Sequence, residues 1–337
     1  MKSIGFTHSL PIDEDQSLFE FDTPTPTPGA HDLLVEIKAI SVNPADAKRR
    51  RRTAVEKPHD EPMVVGYDAV GVVIDTGSDV TLFARGDEVW YAGDANRPGT
   101  NAEQQLVDER VVGPKPKTLS DAEAAAMPLT GLTSWEMLFD RLGIAQGGGA
   151  GKTLLVIGGA GGVGSMTIQL ARKLTKLTVI ATASREETAA WCKKMGAHDV
   201  VDHRNLVEDM RSRGYDTADY IVQYADLSQH WDAMCELVAP QGKIGTIVET
   251  DDLIDISKLQ GKSASLHWEL MFTRTIFQTD DMAEQNVILS NLSKLTDAGT
   301  IRTTLQQTLK GFSVDTLKEA HRRIERANVI GKLVVEY

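Results

Sequence analysis

One stretch of this chain constrains its fold more than any other: Thr153–Gly164, reading TLLVIGGAGGVG. Thr153–Ile157 has the composition of a buried strand, and Val163–Leu174 has the spacing of a helix. Between them, Gly159, Gly161 and Gly164 fall in the G-x-G-x-x-G spacing. The first glycine permits a tight turn, the second lets backbone approach a pyrophosphate, and the third lets the helix sit close to the sheet. The free N–H groups and positive end of the helix would face that phosphate, which makes Gly159, Gly161, Gly162, Val163 and Gly164 candidate ligand contacts. A second glycine run, Gln146–Thr153, comes close to a nucleoside-triphosphate loop. It has Gln146 where the first glycine is required, and it precedes a strand instead of following one.

Around this loop the pattern divides the chain. The first 120 residues are strand-rich: Asp32–Ile40 alternates apolar and polar residues, and Val64–Thr76, Asp87–Ala92 and Gln105–Val112 are further strands. Thr23–Gly29 is a Pro-rich turn or linker. Ser120–Glu123 is a capping box opening a helix that stops near Pro128, and Thr133–Glu136 reads as a second one, its helix ending at Gly143. From Gly151 strands and helices alternate: strands at Leu177–Ala183, Asp199–Val201, Tyr220–Gln223 and Lys243–Val248, helices at Glu186–Met195 and Gln229–Val238. That alternation predicts a parallel sheet of βαβ units. The C-terminal part reads as helices over Asp281–Gly299 and Val314–Arg326, with a closing strand over Lys332–Tyr337.

Composition narrows the function. The 337 residues carry 48 acidic and 36 basic side chains, a net charge of −12, which disfavours nucleic acid and anionic membrane as partners. The chain shows no apolar run of membrane-spanning length, and Met1–Asp15 lacks the features of a signal peptide; the expectation is a cytoplasmic protein. Two cysteines, Cys192 and Cys235, exclude a disulfide framework and a four-cysteine zinc site. The basic run Lys48–Arg52 reads as a solvated helix end.

The second strand of the alternating region reports on the ligand. A dinucleotide without a 2′-phosphate usually meets an Asp or Glu at its end. Here the residues are Thr182, Ala183, Ser184 and Arg185, a hydroxyl and a guanidinium suited to a phosphate, with Glu186 and Glu187 close behind. NADP(H) is therefore expected over NAD(H), with Ser184 and Arg185 at the phosphate and His203 near the adenosine end.

Six segments carry a family resemblance: Ser41–Asp46 (SVNPAD), Gly66–Val73 (GYDAVGVV), Gly86–Val89, Pro128–Trp135 (PLTGLTSW), the glycine loop and Gly331–Val334 (GKLV). Over essentially its full length the chain resembles the medium-chain dehydrogenases/reductases, in the zinc-free quinone oxidoreductase branch that includes zinc-type alcohol dehydrogenase-like proteins. The resemblance implies an α/β fold, with a Rossmann doubly wound parallel sheet inserted into a GroES-like β-rich domain. The expected boundaries are 1–125 plus 274–337 for the GroES-like catalytic domain and 126–273 for the NADP(H)-binding domain. It implies a cleft between the domains, the cofactor near Thr130 and Lys332, and a homodimer. The catalytic zinc ligands of alcohol dehydrogenases correspond to Asn43, Tyr67 and a position near Ala126, and the cysteine-rich lobe is missing between Trp90 and Gln105. No metal is expected.

Without a Lewis acid, reduction of a simple ketone is harder than hydride transfer to an activated enone or a quinone, whose developing oxyanion hydrogen-bond donors can stabilise. Asn43 and Tyr67 are the expected contacts to the acceptor oxygen, and Asp46 an orienting residue. The expected activity is NADPH-dependent reduction of a small quinone or enone. The alternatives are an alcohol dehydrogenase-type activity and an NADPH-binding protein with little turnover.

Overall fold

The computed structural model describes residues 1–326 and 329–337. It divides into two compact units, Met1–Leu132 with Phe272–Tyr337, and Thr133–Met271. The first unit opens with β1 (Lys2–Phe6), β2 (Phe19–Asp22), β3 (Asp32–Ser41) and α1 (Pro44–Arg52). Then come β4 (Met63–Val64), β5 (Asp68–Thr76), β6 (Glu88–Tyr91), β7 (Gln104–Asp108), β8 (Val112–Pro114), α2 (Asp121–Ala125) and α3 (Pro128–Trp135). The second unit holds β9 (Thr153–Ile157), α4 (Gly162–Leu174), β10 (Thr178–Thr182), α5 (Glu186–Met195), β11 (Asp199–Val201) and α6 (Leu206–Ser212). It continues with β12 (Ala218–Gln223), α7 (Leu227–Leu237), β13 (Val238–Thr246) and β14 (Ser265–Trp268). The chain then returns to the first unit through α8 (Thr273–Ile276), α9 (Glu284–Asp297), β15 (Leu305–Lys310), α10 (Val314–Glu325) and β16 (Lys332–Glu336).

The first unit is the expected GroES-like β-rich part. Its larger sheet runs β15-β16-β3-β5-β6-β8 with β7 added on β3, and a small sheet runs β2-β1-β4. All pairs are antiparallel except β15 with β16. β3 pairs with β5, β7 and β16, so most of its side chains are buried. The register puts Ser41 opposite both Asp68 and Val334. The chain ends of β3 and the starts of β5 and β16 are thereby brought together, and the polar cluster described below is built there.

The second unit is a parallel sheet in the order β11-β10-β9-β12-β13-β14, the doubly wound order with its switch point between β9 and β12. Strands covered on both faces read as continuous apolar runs, which is why Leu154–Ile157 and Val179–Ala181 are buried throughout.

The helix boundaries show where local signals fail. Ser120 and Glu123 close the expected reciprocal cap on α2. The second box does not cap a helix: α3 starts at Pro128, runs through Thr133 and Ser134, and continues as a π-helix over Glu136–Arg141. Within α3 the Ser134 hydroxyl donates to the Val163 carbonyl at 3.0 Å. β1, β2, β14 and β15 are strands the sequence pattern did not reveal.

The basic run is also only partly as expected. Lys48–Arg52 does form the end of α1, but Arg50 is fully buried. Its guanidinium donates to the Leu10 carbonyl and to Glu325 on α10, both at 2.5 Å. Near it on α10, His321 is fully buried and neither ring nitrogen meets a hydrogen-bond partner among the described residues. Burial, and then the Arg50 charge, push the imidazole down to about 3. The unfolded chain therefore takes up this proton near pH 6.5, whereas the folded chain resists it down to about pH 3. The stability that neutral His321 contributes is complete above pH 6.5 and is lost as pH falls, at about 1.4 kcal/mol per pH unit. Melting curves of wild type and His321→Leu should diverge in favour of the variant between pH 7 and about pH 5.5, by a few degrees. A constant gap would show that His321 does not titrate in this way.

Candidate active site and dinucleotide cradle

In the second unit, Gly158 leaves β9 with φ +84°, a left-handed conformation that side chains rarely adopt. A Cβ on Gly164 would lie 2.3 Å from the Gly158 carbonyl oxygen, and one on Gly159 would lie 2.8 Å from the Ala181 Cβ. Packing alone demands both of these glycines. Gly161, the N-cap of α4, is different: its φ is −72°, and a Cβ there would meet nothing nearer than 3.6 Å. Among the described residues nothing crowds a side chain at Gly161. A bare backbone with room above it, at a helix N-terminus, is what close contact with a phosphate needs. A dinucleotide therefore fits the residues present.

Hydrogen bonds hold this cradle in place. The Gly158 N–H donates to the Thr182 hydroxyl at 3.0 Å, tying the loop to the end of β10. A chain of hydroxyls braces the start of α4. The Ser134 hydroxyl is spent on the Val163 carbonyl, and Thr167 donates to Ser134 at 2.9 Å, so Tyr224 donates to Thr167, also at 2.9 Å.

The register pairs Thr182 with Val201, so the segments after β10 and β11 emerge side by side. Ser184 and Arg185 follow the first, and His203 and Arg204 the second. The half-exposed Arg185 makes a 3.5 Å ion pair with Glu187. Arg204 forks onto Asp202 and draws that carboxyl down to about 2. The His203 ring stands edge-on to His230 with centroids 5.8 Å apart. Sequence reasoning passed over Arg204, although it directly follows His203.

The first unit holds a second polar cluster. Asp68 is fully buried: its Oδ2 accepts from the Ser41 hydroxyl at 2.5 Å, the Asn43 amide at 3.0 Å and the Lys332 ammonium at 2.9 Å. Its Oδ1 accepts from the Leu129 N–H at 2.7 Å. Lys332 also donates to Asn43 Oδ1. The remaining reach of the Asn43 Nδ2 goes to the Ser41 carbonyl at 3.3 Å. The Asn43 amide, expected at an acceptor oxygen, is thus engaged inside the cluster. Asp46 caps α1 by accepting the Asn43 backbone N–H at 2.6 Å, and its other oxygen is buried with no hydrogen-bond partner among the described residues. Burial pushes the Asp46 carboxyl up to about 7. Thr130 is buried on α3, its hydroxyl donating to the Met127 carbonyl at 3.2 Å. Thr130 and Lys332 both lie in the first unit, with Asn43, Asp46 and Tyr67, while the remaining cofactor candidates lie in the second.

Tyr67 has a chemically free end. Its ring packs on Phe272, centroids 4.5 Å apart, and the Arg49 guanidinium is hydrogen-bonded to it. Burial, with the nearby Asp46 carboxyl, holds the phenol above its usual range, against the opposing pull of Arg49. Arginine can only donate, so the Tyr67 oxygen accepts from Arg49 and its O–H remains available to another acceptor. Tyr91 and Trp135 belong to the packed interior. Burial also pushes the Cys192 thiol up to about 12 and the Cys235 thiol up to about 11, which leaves neither as a nucleophile.

Zinc does not fit this donor set. Its family positions hold an amide whose oxygen already accepts from an ammonium ion, a phenol, and Ala126. A dication would be repelled by Lys332 beside it. Among the described residues no group of three His, Cys, Asp or Glu could hold a metal ion.

A doubly wound sheet bearing a glycine cradle, interrupting a GroES-like unit, defines a nicotinamide-dependent oxidoreductase of the medium-chain class. Residues 29–125 match the alcohol dehydrogenase GroES-like domain, and residues 195–335 match the zinc-binding dehydrogenase model. A zinc-type alcohol dehydrogenase-like protein of Staphylococcus aureus (strain MSSA476) is 40% identical over 338 residues, 99% of each chain. A protein of Rhizobium etli CFN 42, provisionally described as a zinc-dependent alcohol dehydrogenase, superposes with a TM-score of 0.94 at 46% identity, covering 100% of this chain and 98% of that one. The quinone oxidoreductase of Coxiella burnetii superposes with a TM-score of 0.82 at 26% identity, covering 100% and 99%. The chain belongs to the zinc-type alcohol dehydrogenase-like family of the medium-chain dehydrogenase/reductase superfamily. No helix among the described residues is long and apolar enough to cross a membrane.

Proposed function

We propose that the protein reduces quinones or activated enones with NADPH, by hydride transfer and without a metal. The observation that carries this reading is Gly161, a bare backbone with open room above it at the N-terminus of α4, in the place where a pyrophosphate would lie. Gly159, Gly161, Gly162, Val163 and Gly164 would hold the pyrophosphate, and Ser184, Arg185 and His203, with Arg204, would surround the 2′-phosphate. The preference for a phosphorylated dinucleotide rests on the Ser-Arg pair after β10, where a carboxylate would repel that phosphate. The bound dinucleotide supplies a hydride.

The acceptor's needs are met by this chain's own groups. As hydride reaches the β-carbon of an enone, charge builds on the carbonyl oxygen. The Tyr67 O–H can donate to that oxygen, and Arg49 on the phenol oxygen strengthens it as a donor. A proton from solvent completes reduction at the α-carbon. The Asn43–Asp68–Lys332 cluster holds the end of β3 against the start of β5, and therefore the backbone that carries Tyr67.

The test is NADPH oxidation against a panel of quinones and enals, with Tyr67→Phe alongside wild type. Tyr67→Phe should lower kcat about tenfold, a smaller loss than that of an oxyanion donor shielded from solvent, and leave NADPH affinity unchanged. Tight NADPH binding with no oxidation against any acceptor would favour a binding protein with little turnover.

A further inference from the structure

We infer that the Lys332 ammonium ion is the resident cation of the acceptor site and a positioning residue for the reduction, in place of the dication for which the family is named. This rests on the reading of function just given. The geometry is specific. Lys332 is almost fully buried, 2.9 Å from Asp68 Oδ2, and it also donates to Asn43 Oδ1. Lysine is seldom buried to this degree without a charge partner, and here it has one carboxylate and one amide oxygen.

Donor counting shows what the ammonium does. Asp68 gathers four donors: a hydroxyl, an amide, a backbone N–H and the ammonium. Three of them are neutral and leave its negative charge in place. Only Lys332 balances it. The ammonium also sets which way the Asn43 amide faces. Its oxygen turns to Lys332, so its NH₂ must turn to Asp68 and the Ser41 carbonyl. Without the cation, Asn43 Oδ1 loses its donor and Asp68 becomes an uncompensated buried anion, joined through Asn43 to Asp46, the carboxyl near the Tyr67 phenol. An anion there opposes the charge that builds on the acceptor. The site therefore depends on its cation for rate, although the cation is part of the chain.

The measurements are kcat for acceptor reduction at saturating NADPH, NADPH affinity by fluorescence titration, and melting temperature. They are made on wild type, Lys332→Met, Lys332→Ala and the paired variant Asp68→Asn/Lys332→Met. The paired variant removes both charges and leaves no orphaned carboxylate, so it stays folded where a single variant fails. The expected result is a kcat loss of about tenfold or more in the two single variants and a clearly smaller loss in the paired variant, with NADPH affinity within about threefold of wild type throughout. In Lys332→Ala, added methylammonium chloride should recover part of the rate and raise the melting temperature, while sodium chloride at equal ionic strength should do neither. An unchanged kcat in the single variants overturns the inference, and so does a paired variant as slow as the singles. So does weakened NADPH binding with kcat intact, which would make Lys332 a cofactor contact. A loss that methylammonium fails to recover in either rate or melting temperature also overturns it, by reducing Lys332 to a part of the scaffold. If wild type itself reduces no acceptor, the reading of function falls. The methylammonium-dependent melting temperature of Lys332→Ala then decides the cation's place independently.

Discussion

Gly161→Asp should keep the protein as stable as wild type and lower its NADPH affinity about 100-fold or more. The two halves of this expectation come from different physics. Gly161 is the N-cap of α4 with φ −72° and ψ 175°, and aspartate is among the best N-cap residues in that conformation. Its side chain has room, since a Cβ meets nothing nearer than 3.6 Å. Stability should therefore hold or rise. The same carboxylate would sit on the phosphate ground and repel a pyrophosphate, where about 3 kcal/mol of lost attraction amounts to the stated fold-change. Gly161→Ala isolates the steric part and should show a smaller loss in the same direction. Gly164→Val serves as the contrast, because its side chain would run into the Gly158 carbonyl, 2.3 Å from the Cβ position, and should destabilise the fold itself. Calorimetric titration with NADPH and thermal melting of the same samples check all three. Wild-type affinity in a stable Gly161→Asp protein would remove the cradle from the account.

The second large effect is expected at Arg185. Arg185→Glu should move the preference between NADPH and NADH about 50-fold toward NADH, measured as the ratio of the two kcat/KM values. The arginine is half-exposed and its one ion pair among the described residues, 3.5 Å to Glu187, is loose, so a phosphate can recruit it at little cost. Replacing it removes a charge-assisted contact and adds a repulsion, together about 2 to 3 kcal/mol. A carboxylate at this strand end can also accept from a ribose 2′-OH, so NADH should not suffer. An unmoved ratio would place the 2′-phosphate elsewhere, with Arg204 the next residue to replace.

The sequence made some of this legible because the relevant interactions are local. The glycine loop lies within twelve consecutive residues, and its strand, turn and helix occur in the order that their geometry demands. The Ser120–Glu123 cap is equally local. The Thr133–Glu136 box has the same letters but failed, because α3 is already under way from Pro128, and no rule confined to four residues can show that. The Asn43–Asp68–Lys332 cluster was hidden for the same reason. Lys332 lies 289 residues from Asn43 and 264 from Asp68, and only the register of β16 on β3 brings them together. Arg50 was misread because a run of five basic residues looks uniform in sequence, while a helix turns each to a different environment. β15, reading Leu-Gln-Gln-Thr-Leu-Lys, has too few apolar residues to stand out, and its partner β16 supplies what the pattern lacks.

The central claim is that this chain delivers hydride from a phosphorylated dinucleotide with no metal in the acceptor site. The most direct measurement is NADPH and NADH oxidation by the purified protein with a quinone and with an enal, before and after exhaustive chelation. The account predicts turnover that survives chelation and runs markedly faster with NADPH. Activity that disappears with the chelator and returns with added zinc, or an equal rate with both nucleotides, would contradict it.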